Sequence, residues 1–144
     1  MTDIFPAKQL NRQEPSQEED RIAALVVDTC IKLHTALGPG LLESVYLIVL
    51  AHELEQKGCC VVRQTPIPIV FNGMSFEEGF RADLIVNNLV ILELKSVEKI
   101  LPVHKKQVLT YLRLSGLRLG LLINFGDELM KTGIHRIINN RVYL

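Results

Sequence analysis

Two charged residues end a segment of the sequence that is otherwise apolar. Leu89 to Leu92 form an unbroken aliphatic run, and Glu93 and Lys95 come after it. Such a run is typical of a strand that is covered on both faces of a sheet. Residues two apart in a strand point to the same side, so Glu93 and Lys95 share a face. Charges beside a sheet core are costly unless they pair or bind a metal, which indicates a chemical role.

A second carboxylate precedes this pair. Asp83 lies in the segment 81–86, which a turn connects to the segment 89–95, and the two predict neighbouring antiparallel strands. Carboxylates on neighbouring strands can hold a hard divalent cation such as Mg²⁺ or Mn²⁺ through oxygen. Lys95 would then lie beside that cation, where it could orient a water or offset charge in a transition state.

This arrangement sets a condition on the register of the two strands. A two-residue turn at 87–88 would place Asp83 opposite Leu92 and would turn Glu93 to the other face. Asp83 can stand opposite Glu93 only if the loop has three residues, 87–89, or if one strand carries a bulge. We therefore predict a three-residue loop or a bulge.

Two further segments carry polar residues on predicted helices. In the motif G-L-L-E-S-V-Y at residues 40–46, Glu43 and Tyr46 share one helix face. The other segment carries a polar stripe at i, i+3 and i+7: His104, Gln107 and Tyr111. Taken alone, Glu43 could serve only the helix dipole, and the stripe could be a half-exposed surface.

The rest of the pattern predicts the elements that hold these residues. Apolar residues at helical spacing predict three helices: Glu18 to about Leu37, about Leu41 to Lys57, and Pro102 to about Ser115. Short β-rich runs predict the strands: 59–63, 67–71, 74–80, 81–86, 89–95, 118–125 and 134–138. Asn72-Gly73 predicts a hairpin, and 126–132 a helical turn. Residues 1–17 are predicted to be a flexible polar leader, and 18–144 a single α/β domain with a mixed sheet.

Composition favours a soluble globular protein. The chain has 144 residues, 48% of them hydrophobic and 22% charged, which suffices for one domain with a proper core. No apolar run is long enough to span a membrane, and the N-terminus lacks a signal-peptide pattern. Three cysteines without a C-x-x-C pair argue against a disulfide framework and against a zinc site: Cys30, Cys59 and Cys60. We expect buried, reduced thiols in a cytoplasmic protein.

The charge distribution is uneven although the net charge is zero. Residues 1–20 carry a net charge of −3, and residues 95–118 carry +5. The basic segment flanks the Glu93–Lys95 pair. This is compatible with a phosphate-rich ligand and equally with a solvated helix face.

Four short motifs in this order resemble the GxxExxY proteins of the PD-(D/E)XK nuclease superfamily: G-L-L-E-S-V-Y, R-A-D-L, E-L-K and Q-V-L-T-Y. The resemblance covers roughly Arg21 to Ile138. It implies a restriction-endonuclease-like core of the order α-β-β-β-α-β, with a central mixed sheet flanked by helices. The sequence departs from the pattern at Ala82, where a proline often precedes the first aspartate. That position is loosely kept in the superfamily.

The resemblance also implies roles for individual residues. It implies acidic ligands for Mg²⁺ or Mn²⁺: Asp83, Glu93 and Glu43. Lys95 corresponds to the catalytic lysine. Gln107 and Tyr111 resemble a pair that lines the site near the scissile phosphate in the exonuclease branch of the superfamily.

The leading hypothesis is a metal-dependent nuclease that hydrolyses phosphodiester bonds in DNA, or as a less favoured substrate RNA, through a metal-activated water. Basic residues on the third helix are candidates for binding backbone phosphates: Lys105, Lys106 and Arg113. The alternative is a binding or scaffold module that keeps the nuclease fold without turnover, which the neutral net charge and small size favour. A third interpretation, a buried structural ion pair of Asp83, Glu93 and Lys95, leaves Glu43 and Gln107 without a role.

A homodimer is a further hypothesis. Residues 134–138 are expected to form an edge strand, and the tail 141–144 is apolar enough to pack on a neighbouring molecule.

Overall fold

The computed structural model describes residues 10–12 and 14–143. The elements follow in the order β1 (Leu10–Arg12), α1 (Gln17–Leu37), α2 (Glu43–Gln56), β2 (Val61–Phe71), β3 (Met74–Val86), β4 (Val90–Lys95), α3 (Pro102–Ser115), β5 (Leu119–Asn124), α4 (Met130–Gly133), β6 (Ile134–Ile138) and β7 (Arg141–Tyr143). The series from α2 to β5 has the predicted order α-β-β-β-α-β.

The main sheet has five strands in the order β2-β3-β4-β5-β6. Strands β4 and β5 are parallel, and the other neighbours are antiparallel, which confirms the predicted mixed sheet. The parallel connection runs through α3, as a crossover between parallel strands requires. Strands β4 and β5 are central, and their side chains are buried almost throughout.

Helices cover both faces of this sheet. One core joins α1 and α2 to alternate residues of strands β3, β4 and β5, including Leu84, Leu92 and Leu94. A smaller core joins α3 to residues of the opposite parity, including Ile91 and Leu122. Glu93 follows Ile91 by two positions, and it therefore belongs to the face that α3 covers.

Strand β2 is longer than the sequence pattern predicts. The prediction of two short strands separated by Thr65-Pro66 is wrong, because Val61–Phe71 form one strand with an irregular register between Ile67 and Ile69. Proline lacks the N–H that an inner strand needs, but an edge strand tolerates it. Within the described residues β2 lies at the edge and pairs only with β3.

Helix boundaries follow the local sequence closely. A capping box begins α1, in which the Ser16 hydroxyl accepts from the Glu19 N–H and the Glu19 carboxylate accepts from the Ser16 N–H. Helix α2 begins at Glu43, two residues later than predicted. Helix α3 ends as predicted at Gly116, which takes a left-handed conformation with φ 76°.

The first and last described strands concern two predictions, the flexible leader and the homodimer. Leu10–Arg12 lie within the predicted leader and pair with Arg141–Tyr143 in a two-stranded sheet. The tail therefore meets the chain's own N-terminal segment, whereas most of the leader lies outside the described residues. Ile134–Ile138 form an edge strand, as predicted. None of the described helices is long and apolar enough to cross a membrane.

The cysteines only partly follow the prediction. All three thiols are free, but Cys30 alone is buried, whereas Cys59 is half-buried and Cys60 is exposed. The expectation that all three are buried is wrong, because Cys59 and Cys60 lie in the connection between α2 and the edge strand β2.

Candidate active site

The register of β3 and β4 brings two carboxylates together. Leu84 pairs with Leu92 and Val86 pairs with Val90, so the connecting loop has three residues. This confirms the predicted three-residue loop. Continuing the register by one residue places Asp83 opposite Glu93 on one face of the sheet.

The two strands separate at this position, and the carboxylates replace their backbone hydrogen bonds. The Asp83 N–H donates to Oε1 of Glu93 at 2.9 Å, and the Leu94 N–H donates to Oδ2 of Asp83 at 2.8 Å. Each carboxylate is therefore tied to the backbone of the opposite strand. These two bonds use one oxygen of each carboxylate and fix both side chains where the ladder opens.

The pair is electrostatically costly. Burial raises the pKa of Glu93 to about 8, and the neighbouring Asp83 adds to this shift. Burial likewise raises the pKa of Asp83, against the hydrogen bond from Leu94. Lys95 lowers the pKa of both carboxyl groups, but among the described residues no salt bridge joins it to either. The structural ion-pair interpretation therefore lacks support.

Asn124 holds the backbone that follows Lys95. This amide is fully buried at the end of β5, beside Lys95 in the parallel register. Its Oδ1 accepts from the N–H groups of Val97 and Gly126, and its Nδ2 donates to the Val97 carbonyl and to Asp127. Asn124 was not predicted as a site residue, although it ends an apolar run just as Glu93 does.

Glu43 reaches the same end of β4 from the opposite helical layer. It begins α2 and accepts a hydrogen bond from the Ser96 N–H at 3.3 Å. A cleft of about 460 Å³ opens beside it, lined by Leu41, Leu42, Glu43, Ser44 and Ser96. The charge of Glu43 contributes to the raised pKa values of Asp83 and Glu93.

Tyr46 supports this cleft from inside the core. It is fully buried and stacks on Phe125, with ring centroids 4.2 Å apart. Its hydroxyl donates to the Gly38 carbonyl and accepts from the Leu41 N–H at 3.2 Å. Tyr46 therefore fixes the loop that leads into Glu43. The motif spacing predicts that Tyr46 shares a helix face with Glu43, but it does not reveal this supporting role.

Helix α3 contributes Tyr111 to the carboxylate pair. Tyr111 is buried against Phe80, and burial together with the charges of Glu93 and Asp83 raises the pKa of its hydroxyl. Gln107 is exposed and lies roughly 40° from Tyr111 around the helix. His104 instead caps the helix, because its Nδ1 accepts from the Leu101 N–H at 3.0 Å.

A family model of the PD-(D/E)XK nuclease superfamily matches residues 20–137. The chain belongs to the PD-(D/E)XK nuclease superfamily. No curated protein and no solved structure gave a significant match. Members of this superfamily are typically nucleases, which are hydrolases of nucleic acids that generally use divalent metal ions. The restriction-endonuclease-like fold is confirmed, and the carboxylate pair lies within the matched residues.

The donor set suits the metals that the PD-(D/E)XK superfamily uses. Among the described residues, no group of three or more acidic, histidine or cysteine side chains could hold a metal ion. Glu43 bonds to Ser96, so a third ligand from α2 stays a prediction. Mg²⁺ commonly binds through one or two carboxylates and keeps several waters. Asp83 and Glu93 meet that requirement, and a cation would offset their buried charge.

The basic residues of α3 do not surround the carboxylate pair. All three lie roughly 120° or more from Tyr111 around the helix: Lys105, Lys106 and Arg113. Lys105 lies near His135 of β6 and lowers its pKa in addition to the effect of burial. Any phosphate contact of these residues would therefore lie away from the carboxylate pair, and their role stays a prediction.

Proposed function

We propose that this protein is a metal-dependent nuclease that hydrolyses phosphodiester bonds in DNA, with RNA as the less favoured substrate. The observation that carries the proposal is the pair of the half-buried Asp83 and the buried Glu93, two carboxyl groups whose pKa values are raised where the strand ladder opens. A protein gains no stability from such a pair, because both charges oppose burial. A divalent cation held by Asp83 and Glu93 would offset both charges.

The proposed ligands are Asp83 and Glu93, with the Leu94 carbonyl and Glu43 as further oxygen donors. Mg²⁺ or Mn²⁺ at this position would supply Lewis-acid chemistry and would neutralise charge on the phosphate. The residues themselves hold the donors rigid, since each carboxylate is fixed by a backbone N–H of the facing strand. Such preorganisation avoids reorganisation cost during the reaction.

Lys95, Tyr111 and Gln107 would act on the substrate side of the pair. The Lys95 ammonium would orient the attacking water and stabilise negative charge that develops on the phosphoryl oxygens. Tyr111 and Gln107 would donate hydrogen bonds to the phosphate next to the scissile bond. Lys105, Lys106 and Arg113 would bind more distant phosphates of the same strand.

Finer assignments are part of the same proposal. We place the chain among the GxxExxY proteins, supported by Glu43 at the start of α2 and by the buried Tyr46 of that motif. The edge strand Ile134–Ile138 leaves a homodimer as a proposed state. A cytoplasmic location is proposed from the free cysteines.

Cleavage and metal binding should be measured on the same variants. The purified protein is incubated with labelled single- and double-stranded DNA and RNA in Mg²⁺ or Mn²⁺, and Mn²⁺ binding is followed by calorimetry. Asp83→Asn is expected to lose both Mn²⁺ binding and cleavage. Lys95→Ala should keep Mn²⁺ binding and lose cleavage by about 10²–10³-fold. Glu77→Gln, an exposed carboxylate elsewhere on β3, is the matched control and should change neither.

The outcomes separate the candidate functions. Cleavage that continues unchanged in Asp83→Asn would refute the proposal. Mn²⁺ binding without cleavage of any of the four substrates would favour a silent binding or scaffold module instead. Absence of both would leave the carboxylate pair without the proposed role.

A further inference from the structure

Gln64 has an unusual backbone conformation in the middle of a strand. Its φ is 51°, in the left-handed region that L-residues other than asparagine, aspartate and histidine rarely adopt. The other described non-glycine residues with positive φ are asparagines in turns: Asn72, Asn87 and Asn88. The backbone of Gln64 is therefore strained where no turn requires it, and such strain concentrates at functional sites.

This conformation occurs directly opposite Asp83. Arg63 pairs with Leu84 and Thr65 pairs with Ala82, so the residue facing Asp83 across the β2–β3 ladder is Gln64. Asp83 is absent from the regular pairing on both sides of β3: its N–H donates to Glu93 on the β4 side, and it faces the positive φ of Gln64 on the β2 side. The Gln64 carbonyl instead accepts from the Arg81 guanidinium at 3.4 Å.

The side chain of Gln64 acts on the Asp83 carboxyl group. Burial raises the pKa of Asp83, and the Gln64 side chain, whose residue stands opposite Asp83 in the register, is among the groups that lower it. The Leu94 N–H already holds one oxygen of Asp83 from the β4 side. Gln64 therefore faces the same carboxylate from β2, the strand on the other side of Asp83.

We propose that Gln64 is a positioning residue, whose strained backbone aims its amide at Asp83 and holds that carboxylate in the orientation that a divalent cation needs. The inference rests on the proposed metal-dependent function. An amide suits this task, because it donates a hydrogen bond without adding positive charge. A lysine or arginine at this place would neutralise Asp83 and compete with the cation.

Backbone strain and amide contact can be separated by substitution. Gln64→Gly accepts the positive φ but removes the amide, whereas Gln64→Asn accepts it and keeps a shorter amide. Asn72→Gly is the matched control, because it changes a residue with the same φ of 51° in the turn between β2 and β3. The full-length protein is used throughout, with Mn²⁺ calorimetry, thermal unfolding and steady-state DNA cleavage as readouts.

We expect Gln64→Gly to unfold at the wild-type temperature or above it, because glycine relieves the strained φ. The same variant should bind Mn²⁺ about 10- to 100-fold more weakly, as loss of a group that orients a metal ligand commonly does. Its kcat for DNA should fall while KM stays unchanged. Gln64→Asn should recover part of the Mn²⁺ affinity, and Asn72→Gly should keep all of it.

Two results would overturn the inference without touching the proposed function. One is wild-type Mn²⁺ affinity in Gln64→Gly. The other is an equal loss of affinity in Asn72→Gly, which would indicate a general effect of glycine on the hairpin. If the wild-type protein itself binds no Mn²⁺, the proposed function fails, and the positioning role of Gln64 fails with it.

Discussion

Glu93 and Asn124 are buried polar residues near the ends of the two neighbouring parallel strands β4 and β5. Glu93 is 7% exposed and Asn124 is 0% exposed. The Asn124 amide makes four hydrogen bonds with the chain itself, which satisfy both its oxygen and its nitrogen. Glu93 accepts a hydrogen bond only from the Asp83 N–H among the described residues, and burial together with the neighbouring charge of Asp83 raises its pKa to about 8.

The comparison shows that burial of Asn124 stabilises the fold, whereas burial of Glu93 destabilises it. A neutral amide with all its partners inside the chain contributes to folding, since nothing is left unpaired. A carboxylate beside another carboxylate lowers stability until a cation arrives. Both residues end an apolar run in the sequence, so the difference is visible only from their partners.

The largest expected effect follows from removing the satisfied amide. Asn124→Ala leaves the Val97 N–H and carbonyl without their partner, together with the Gly126 N–H. We expect the free energy of unfolding to fall by about 3–5 kcal/mol, measured by urea denaturation. Thr132→Ala removes an exposed hydroxyl that donates to Asp127 and should cost under about 1 kcal/mol. A loss of that small size in Asn124→Ala would contradict the role assigned to the amide.

The second prediction concerns Glu93, whose substitution should raise the free energy of unfolding by an amount that depends on pH. The folded-state pKa of Glu93, about 8, exceeds its ordinary value of 4.5, so the folded protein binds more protons between these values. The free energy of unfolding should therefore fall as pH rises from about 4.5 to 8, by up to about 1.4 kcal/mol per pH unit. Glu93→Gln removes this contribution and should become increasingly more stable than the wild type over the same range.

Urea denaturation from pH 5 to 9 without divalent ions measures this difference, with Glu77→Gln as the exposed control. Other titrating groups contribute almost equally to the pH dependence of the wild type and of Glu93→Gln, so the difference between the two proteins reports on Glu93. Adding Mg²⁺ should stabilise the wild type most at high pH, where both carboxyl groups are ionised. If the difference in stability between the two proteins stayed constant from pH 5 to 8, the pKa of Glu93 would not be raised in the folded protein.

How far the sequence predicts the molecule depends on whether a feature is local. A three-residue loop at 87–89 or a bulge was predictable because strand side chains alternate, so a two-residue turn would have put the two carboxylates on opposite faces. The continuous strand β2 was not, because Pro66 breaks inner strands and only the edge position makes it tolerable. Conformations such as that of Gln64 arise from partners distant in the chain, which spacing does not reveal.

The residues of the candidate site likewise differ in whether the local sequence predicts them. Asp83, Glu93 and Tyr111 were predicted from spacing and motif, and the structure brings them together. Asn124 ends an apolar run as Glu93 does, but no local pattern identifies its four partners. The basic residues of α3 were proposed from composition, and composition does not define the rotation of the helix about its axis.

The smallest expected effect is at two buried tyrosines, which differ in whether the hydroxyl is hydrogen-bonded within the chain. The Tyr46 hydroxyl bonds to the Gly38 carbonyl and to the Leu41 N–H, whereas the Tyr111 hydroxyl makes no hydrogen bond with the described residues. Tyr46→Phe should lower the free energy of unfolding by about 1–2 kcal/mol. Tyr111→Phe should change it by less than about 0.5 kcal/mol and should instead lower the rate of DNA cleavage. Urea denaturation and the cleavage assay on both variants test this, and equal losses of stability would mean that Tyr111, like Tyr46, is satisfied within the fold and leaves no hydroxyl for a substrate.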